Sequence, residues 1–316
     1  MIEVVIPAYN AAPFLRDALR SVAEQSVRPA VVSVVDDSST DDTADITRAC
    51  AKEFSGAIEI QLLRNAGPRG PSAARNTAIR ASGADYIALL DADDLLAPAH
   101  HEILLNALGA AKDSVLAFGD STVFNEAGIL VDHFLAKSGV AQLPAVTLAP
   151  GCDTIGDAMY GALLRHGVFG TSACLFKRSA ALGAGLFDES MMYCEDTDFF
   201  LRLSLLGRFV FAREVVAHKR VHGDNLSQDR NKLAFCRGTA VSLARLATRA
   251  DEVMLTPVQK SALRKALIVA LDGYLYNASC DSLSAYWDAA KLAYRAGLAP
   301  LALRPRGLVR LGLRGH

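Results

Sequence analysis

The chain has 316 residues, with 33 basic and 34 acidic side chains and a formal net charge of −1 at pH 7. Because the charges nearly cancel, the composition indicates no polyanionic partner, and we predict that the protein does not bind nucleic acid. Hydrophobic residues make up 51% of the chain, so a chain of this length can bury a large core without disulfides or metal ions to hold it together.

The first hundred residues alternate short apolar runs with helical patterns. The runs are continuous, as expected of parallel strands that are covered on both faces; they lie at 2–6, 31–35, 58–63 and 86–90. Helices are predicted between them at 12–25, 40–53 and 71–82. The second has Ser39 and Asp42 at capping-box spacing, and the third begins with Pro71. This alternation predicts an α/β fold with a doubly wound, mostly parallel sheet flanked by helices.

The pattern changes along the rest of the chain. Strands are predicted near 114–123, 173–178 and 208–217 and a helix at 196–206, whereas 125–155 shows no clear pattern. From about residue 230 only helices are predicted, one of them starting at Thr256 and Pro257 with Gln259 at capping-box spacing. We therefore predict two domains, an α/β domain at 1–228 and a helical region at 229–316.

The predicted C-terminal helices have apolar faces and lead into a basic tail. Two sets of residues repeat at helical spacing and are expected to be buried: Leu263, Leu267, Leu271 and Tyr274, and then Leu283, Trp287, Ala290 and Tyr294. No acidic residue follows Asp288, whereas six basic residues do: Lys291, Arg295, Arg304, Arg306, Arg310 and Arg314. Such a tail is either a solvated charge run or a segment attracted to anionic lipid headgroups.

Several features indicate a cytoplasmic protein. The N-terminus enters an apolar run at once, without the basic stretch and apolar core of a signal peptide. No window reaches about 18 uninterrupted apolar residues, which argues against a transmembrane helix. The six cysteines are widely scattered and form no CxxC pair, which is typical of reduced thiols.

Two acidic clusters follow predicted strands. "VVDDSST" places Asp36 and Asp37 after the second strand, and "LLDADD" places Asp91 and Asp93 after the fourth. Ligands of open parallel sheets bind beyond the carboxyl ends of the strands, and positions i and i+2 of an extended chain point to the same side. Turns and caps are one use of such aspartates. The other is a divalent cation held between the carboxylates and a substrate phosphate.

Three further segments carry candidate functional residues, each with a plainer interpretation beside it. "NAGPRGPSAARN" enters a helix at which Arg75 is predicted to reach a phosphate or a base, or to be a surface residue. "YCEDTDFFLRL" puts Glu195 and Asp196 at a helix start, where carboxylates act as caps or as a general base. "KRVHGDNLS" offers Arg220 for phosphate and His222 for a metal or diphosphate.

Taken together, the motifs resemble those of family-2 glycosyltransferases with a GT-A fold. The resemblance runs in order through "VVIPAYN", "VVDDSSTDDT", "GPRGPSAARNTAI", "ADYIALLDADD", "GLFDESMMYCEDTDFFLRL" and "KRVHGDNLS", across residues 1–228. It implies a nucleotide-diphosphate-sugar donor, typically UDP-linked, and transfer with inversion. It also implies a divalent metal, Mn²⁺ or Mg²⁺, on the diphosphate.

The resemblance implies a role for each matching residue. On the donor side, Asp37 would accept a hydrogen bond from the nucleobase in a pocket lined by Pro7, Ala8 and Tyr9, and Asp91 would lie near the ribose or sugar. Asp93 would be the main metal ligand, beside Asp91. The remaining implied roles are the base Asp196 with Glu195 beside it, Arg220 and His222 in the loop over the diphosphate, Thr171 and Ser172 near the donor sugar, and Phe187 and Asp188 near the acceptor.

The implied reaction moves a sugar to a hydroxyl of a glycan, lipid-linked or other acceptor, as in cell-envelope polysaccharide synthesis. Alternatives are a catalytically silent scaffold that binds nucleotide sugars and an enzyme like a sugar-nucleotide pyrophosphorylase. The latter would need a Gly-rich basic loop after the first strand, where this chain has "PAYNAAPFL". The C-terminal helices are expected either to pack against the catalytic domain or a second subunit, or to bring the basic tail to the inner face of the plasma membrane.

Overall fold

The computed structural model describes residues 1–165, 167–223, 225 and 229–303. The chain divides into two compact units. The first contains Met1–Met192 and Phe199–His222, and the second contains Tyr193–Asp198 and the residues from Gly223 onward. The second unit thus takes in a short segment, 193–198, that the sequence assigns to the α/β domain. The predicted domain boundary after residue 228 stays a prediction.

The first unit is built on one large sheet. Its strands, in chain order, are β1 (Ile2–Ala8), β2 (Val31–Asp36), β3 (Ile60–Arg64), β4 (Tyr86–Leu89), β5 (Leu95–Leu96), β6 (Ser114–Asn125), β7 (Gly128–Val131), β8 (Val146–Ala149), β9 (Cys152–Thr154), β10 (Cys174–Lys177) and β11 (Arg208–Arg220). The main path runs β3-β2-β1-β4-β10-β6-β11-β9-β8, with β5 paired to β11 and β7 paired to β6. The predicted α/β fold with a large flanked sheet is confirmed.

The two halves of the sheet differ in strand direction. β1, β2, β3 and β4 are parallel to one another, as their continuous apolar runs predict. Beyond β4 the sheet is mixed, because β10 is antiparallel to both β4 and β6 while β11 is parallel to β6. The carboxyl ends of β1, β2 and β4 therefore share one edge, and the residues that follow them are brought together there.

Helices cover the sheet of the first unit. They are α1 (Leu15–Ala23), α2 (Thr43–Glu53), α3 (Pro71–Ala81), α4 (His100–Gly109), α5 (Phe134–Lys137), α6 (Ala158–Leu163) and α7 (Arg178–Gly183), with α8 (Glu195–Leu203) beginning in the segment 193–198. α1 buries Leu15, Leu19 and Val22, the predicted stripe. These three side chains pack with the apolar side chains of β1 and β2 in the hydrophobic core.

The start of α2 differs from the prediction. The side chain of Asp42, directly before the helix, gives no capping hydrogen bond. Ser39 Oγ accepts instead from the backbone N of Asn10 at 3.0 Å, and Asn10 Oδ1 accepts from the backbone N of Thr40 at 2.8 Å. The predicted capping box is therefore wrong, because Ser39 ties the loop after β1 to the loop after β2.

The second unit consists of helices. They are α9 (Lys232–Thr248), α10 (Pro257–Asp281) and α11 (Leu283–Arg295). The predicted capping box at α10 is confirmed, since Thr256 and Gln259 cap each other and Pro257 lies in the first turn. No helix among the described residues is long and apolar enough to cross a membrane.

One predicted face of this unit is buried and the other is not. Leu263, Leu267, Leu271 and Tyr274 of α10 are all buried, as predicted. The expected burial of α11 through Leu283, Trp287 and Tyr294 is wrong, because these side chains are 60%, 58% and 75% exposed. α11 buries a different face, formed by Tyr286, Ala289 and Ala293. Two of those three residues are alanines, whose small side chains allow helices to approach closely.

Candidate active site

Asp37 lies just after the carboxyl end of β2 and forms hydrogen bonds with the loop that leads into α3. Its backbone N donates to Ala8 O at 2.8 Å, at the end of β1. Its carboxylate accepts from Asn65 Nδ2 at 2.5 Å and from the backbone N of Gly70 at 2.8 Å. Each oxygen has a second lone pair, so the buried carboxylate can still accept from a ligand. The sequence predicted Asp37 but missed Asn65, for which an isolated Asn in a loop gives no distinct signal.

The predicted nucleobase-pocket residues lie at the end of β1, next to this carboxylate. Pro7 and Ala8 pair with Val35 and Asp36 in the β1–β2 ladder. Tyr9 follows them, half-exposed, and the guanidinium of Arg69 lies over its ring, 4.3 Å from the centroid. Arg69 was missed by the sequence patterns, although it stands in the Gly/Pro-rich loop beside Gly70. The edge thus offers an aromatic ring, a cation and a carboxylate close together.

Asp91 lies just beyond β4 and pairs with Arg75. Arg75 Nη2 donates to Asp91 Oδ1 at 2.8 Å, and the Arg75 side chain is almost completely buried. Its guanidinium also lies 5.3 Å from the ring centroid of Phe187. A surface position for Arg75 is therefore excluded. A buried cation beside Asp91 partly offsets the negative charge of the acidic cluster.

Asp94, to which the sequence patterns gave no role, ties three segments of the site together. Its Oδ2 accepts from Ser172 Oγ at 2.7 Å, and its Oδ1 accepts from the backbone N of Arg220 at 2.9 Å. Ser172 Oγ in turn accepts from the backbone N of Asp91 at 3.1 Å. Burial, and then the charges of Asp91 and Asp93, raise the pKa of Asp94 well above its usual range.

Asp93 meets the segment at the end of β11. Its Oδ2 is 2.9 Å from His222 Nε2, and its backbone O accepts from Arg220 Nε at 2.9 Å. The His222 ring packs against Phe14, with 4.5 Å between the ring centroids. Burial and the charge of Asp91 raise the pKa of Asp93, while the hydrogen bond from His222 opposes that rise. Residues 93, 220 and 222, predicted from distant motifs, therefore lie together.

The donor chemistry of this cluster suits a hard divalent cation bound jointly with a phosphate. The described residues contain no group of three or more His, Cys, Asp or Glu side chains arranged to hold a metal by themselves. Mg²⁺ and ions like it are commonly bound by one or two carboxylates, with water and substrate phosphates completing the shell. Asp91 and Asp93 supply such carboxylates, and burial together with the charge of Asp91 raises the pKa of Asp93.

The segment around Phe187 is held by α3. Asn76 is fully buried; its Nδ2 donates to Phe187 O at 2.9 Å and its Oδ1 accepts from Phe187 N at 3.0 Å. The Phe187 ring stacks on Phe199 with 4.1 Å between centroids. Asp188 Oδ1 accepts from the backbone N of Ser190 at 2.9 Å. Asn76 was missed by the sequence patterns. The implied acceptor role of Phe187 and Asp188, like the donor-sugar role of Thr171, stays a prediction.

Glu195 and Asp196 lie in the first turn of α8, as predicted, but in the segment that belongs to the second unit. Asp196 Oδ1 accepts from the backbone N of Thr197 at 2.6 Å. Nearby in the same segment, Asp198 is buried and its Oδ1 accepts from Ser242 Oγ of α9 at 2.7 Å. The assignment of Asp196 as general base, with Glu195 beside it, stays a prediction.

Comparison with known proteins shows which family part of the chain resembles. Residues 3–132 match the model of the family described as "Glycosyl transferase family 2". Residues 3–132, less than half of the chain, therefore resemble a family 2 glycosyl transferase domain. The matched range covers β1 to β4, the acidic residues after β4 and the whole of β6, so the acidic residues at 91–94 lie inside it.

Curated proteins with similar sequences include a polysaccharide synthase and a glucosyltransferase. It is 27% identical over 227 residues to a chondroitin synthase of Escherichia coli, an alignment that covers 72% of this chain and 30% of that protein. It is 25% identical over 235 residues to the glucosyltransferase WfaP of Escherichia coli, covering 73% of this chain and 82% of the relative. The full name of WfaP specifies UDP-Glc as donor and α-D-GlcNAc-diphosphoundecaprenol as acceptor. The aligned part thus spans less than a third of the synthase but most of WfaP.

Solved structures share the fold of this chain. TarS 1–349 of Staphylococcus aureus, solved in complex with UDP-GlcNAc, has a TM-score of 0.58 and 17% identity, covering 99% of this chain and 91% of the other. The mannosyltransferase PcManGT of Pyrobaculum calidifontis, solved with GDP-Man and Mn²⁺, has a TM-score of 0.55 and 21% identity, covering 100% and 88%. At these identities the likeness concerns the fold, which is of the GT-A type.

Proposed function

We propose that this protein is an inverting glycosyltransferase that moves a sugar from a UDP-linked donor to an acceptor hydroxyl. One observation carries the proposal: Asp94 connects the acidic loop after β4, through Ser172 and the backbone of Arg220, to the segment that ends in His222. Side chains that are far apart in sequence, and that suit a nucleoside diphosphate, are thereby gathered at one edge of the sheet. The proposed catalytic domain is 1–228, with 229–316 as a helical extension.

The nucleoside would bind at the ends of β1 and β2. Asp37 would accept from the N–H of a uracil ring through the lone pairs that Asn65 and Gly70 leave available. Pro7, Ala8 and Tyr9 would line the ring. The bound UDP-GlcNAc of TarS supports this donor class for the proposal.

The diphosphate would lie between the acidic loop and the end of β11. Arg220 would pair with phosphate oxygens, while Arg75 holds Asp91. Asp93, Asp91 and His222 would hold the divalent ion, Mn²⁺ or Mg²⁺. When bound, such an ion supplies positive charge that stabilises the leaving diphosphate. The Mn²⁺ of the PcManGT complex supports a metal of this kind without choosing between the two.

The transfer itself needs a base and an open face of the sugar. Asp196 would take the proton from the acceptor hydroxyl, with Glu195 next to it. The oxygen would form its bond to the anomeric carbon while the bond from that carbon to the diphosphate oxygen breaks, and the electron pair would leave with the nucleoside diphosphate. Attack from the face opposite the leaving group inverts the configuration. A positioned base typically contributes about 10²- to 10⁴-fold to the rate.

The acceptor would be a glycan or a lipid-linked sugar of the cell envelope, bound near Phe187 and Asp188. The name of WfaP, with its diphosphoundecaprenol acceptor, supports the lipid-linked class. We place the reaction in the cytoplasm, at the inner face of the plasma membrane when the acceptor is lipid-linked. The basic tail proposed to contact that membrane includes Arg304, Arg306, Arg310 and Arg314, which lie outside the described residues. A homo-oligomer through the C-terminal helices is the alternative role for that region.

The test is a panel of UDP- and GDP-sugars incubated with the full-length protein, with Mn²⁺, Mg²⁺ or EDTA. We expect release of nucleoside diphosphate from one UDP-sugar, faster with an acceptor glycan, and an inverted anomeric centre in the product by NMR. A pyrophosphorylase-like enzyme would instead form nucleoside triphosphate when pyrophosphate is added. A silent scaffold would be stabilised thermally by a donor without consuming it. Either of those outcomes would replace the proposed function.

A further inference from the structure

Helix α11 exposes an apolar stripe where burial was expected. Leu283, Trp287 and Tyr294 are 60%, 58% and 75% exposed. Their spacing of four and then seven residues puts them on one side of the helix. Trp287 is also the only tryptophan of the chain, and tryptophan is a residue type that is strongly buried on average. A contiguous stripe of large exposed apolar side chains typically marks an interaction surface.

Beside this stripe, α9, α10 and α11 enclose a basic groove of about 500 Å³. Among the described residues, the charged side chains that line it are four cations, Arg237, Arg245, Lys291 and Arg295, and one acid, Asp288. Lys291 Nζ is 3.8 Å from Asp288 Oδ1. The two arginines of α9 are eight residues apart, which is about two turns, so they line the groove along its length.

The stripe and the groove are parts of one surface, because Lys291 lines the groove and is a neighbour of the stripe residues Trp287 and Tyr294. It follows Trp287 by four residues and precedes Tyr294 by three, and such residues are neighbours on a helix. It also lines the groove together with Arg295. The surface therefore offers amphipathic aromatic rings next to clustered cations. Trp and Tyr favour the interface between water and hydrocarbon, and Lys and Arg favour the phosphates of anionic lipids.

A second copy of this chain fits the same surface poorly. In a twofold dimer the same patch meets itself, so the four cations and one acid of one copy would face those of the other. Three excess positive charges on each side would repel at short range. An anionic bilayer matches the charge and also accepts the exposed aromatic rings. Charge complementarity thus decides between the two occupants.

We propose that α11, with the basic groove beside it, is a docking face for anionic phospholipid bilayers. Trp287 and Tyr294 enter the headgroup region, while Arg237, Arg245, Lys291 and Arg295 contact lipid phosphates. This face is made of the described helices and is distinct from the basic tail beyond residue 303. It does not depend on the proposed transferase activity, because binding to a membrane needs no donor turnover.

The experiment is co-flotation of the full-length protein with vesicles of phosphatidylcholine alone or with about 30% phosphatidylglycerol, which supplies the anionic surface. We expect binding to the anionic vesicles only. Trp287→Ser with Tyr294→Ser should weaken it at least tenfold, because both interfacial anchors are lost. Lys291→Gln with Arg295→Gln should weaken it about 30-fold at low salt, because each cation near an anionic surface contributes about fivefold in affinity.

Matched controls change the same kinds of residue on α10. Val258→Ser with Val269→Ser removes two side chains that are 79% and 73% exposed, and Arg264→Gln with Lys265→Gln removes two exposed cations that do not line the groove. Both pairs should leave flotation within about threefold of the parent protein. All substituted residues are exposed, so folding measured by circular dichroism should be retained.

Three results would overturn the proposal. The first is equal flotation of the parent and of the Trp287→Ser, Tyr294→Ser variant. The second is loss of flotation only when Arg304, Arg306, Arg310 and Arg314 are changed to Gln, which would assign binding to the tail. The third is a dimer in light scattering that the Trp287→Ser, Tyr294→Ser variant disrupts, which would make a second copy the occupant. Nucleotide-sugar turnover, measured separately, bears on the proposed function alone.

Discussion

The edge of the sheet and the C-terminal helices differ in how far their charged side chains are exposed to water. At the edge, the carboxylates of Asp93 and Asp94 are largely withdrawn from water and each has a defined partner, His222 for the first and Ser172 for the second. In the helical unit, the cations around the groove are exposed. Burying an acidic side chain is costly unless specific partners hold it, so these contacts keep the two acids in a fixed geometry. Exposed cations on flexible stems adapt to an extended surface.

The largest effect is expected at Asp196, which lies in the second unit. Asp196→Asn removes the proposed base and keeps the shape of the side chain. We expect kcat to fall about 10²- to 10⁴-fold, with UDP affinity unchanged, because donor binding is assigned to the first unit. Asp45→Asn, on the exposed face of α2, is the control. Near-parental turnover in Asp196→Asn would show that Asp196 is not the base. The catalytic residues would then be sought only in the first unit, at the edge of the sheet.

The next effect tests whether the contacts of the buried acid Asp94 fix the geometry of the sheet edge. Asp94→Ala leaves Ser172 Oγ and the backbone N of Arg220 without their common acceptor. We expect a loss of about 2–4 kcal/mol in unfolding free energy by chemical denaturation, and a fall of about 100-fold in kcat/KM as the segment of Arg220 and His222 moves out of place.

Asp94→Asn, which keeps an acceptor oxygen, should recover part of both losses. Ser172→Ala should have a smaller effect than Asp94→Ala, because the bond to Arg220 survives. If Asp94→Ala turned over donor like the parent protein, the acidic loop and the end of β11 would not need this connection, and the contrast with the open groove would fail at its central point.

The free energy of unfolding of the first unit should also depend on pH more strongly than that of the second. His100 and His101 in α4 are buried with their rings 5.2 Å apart, and burial lowers their pKa values to about 3 and about 4. They stay neutral in the folded protein but gain protons on unfolding below about pH 6.5. The unfolded state then binds more protons, so the free energy of unfolding of the first unit should fall as pH drops from about 6.5 towards 4.

His101→Asn keeps an N–H donor for Val27 O, the present partner of His101 Nδ1, and removes one titrating group. Denaturant midpoints of this variant should depend less steeply on pH than those of the parent protein, even if it is less stable overall. An unchanged slope would mean that other groups cause the acid sensitivity. The second unit, which carries neither histidine, supplies the internal comparison when its unfolding is followed through Trp287.

The smallest effect should come from Arg69, an exposed residue beside the sheet edge. Arg69→Ala removes the cation over the Tyr9 ring. Exposed cation–π contacts are worth about 0.5–1 kcal/mol, so we expect UDP to bind about threefold more weakly, with Arg64→Ala as a control. A change above about 30-fold would show that Arg69 contacts the ligand directly. Arg69 would then count among the nucleotide-binding residues.

The sequence predicted those parts of the molecule in which a local pattern has one physical meaning. Continuous apolar runs indicated the parallel strands, Pro71 and the Thr256–Gln259 pair indicated helix starts, and the acidic residues after β2 and β4 had to share the carboxyl edge of a parallel sheet. Those positions follow from backbone geometry alone.

The parts that were missed depend on contacts between distant segments. In the sequence, Asp94 is the third acid of the cluster at 91–94 and has no distinct signal. Its role depends on contacts with Ser172 and with the backbone of β11. Asn76 similarly meets Phe187 across more than a hundred residues. On α11 the apolar spacing predicted burial, yet the tertiary packing selected the face with two alanines. The span 125–155 holds short elements, β7, α5, β8 and β9, of three or four residues, too short to show a periodicity.

The most direct test of the central claim is calorimetric titration of UDP into the parent protein and into Asp93→Ala, each with Mn²⁺ and with EDTA. We predict that Mn²⁺ tightens binding to the parent at least tenfold and leaves Asp93→Ala unchanged. Equal affinity with and without Mn²⁺ in the parent, or a full Mn²⁺ effect in Asp93→Ala, would contradict a metal-assisted diphosphate site at this edge of the sheet.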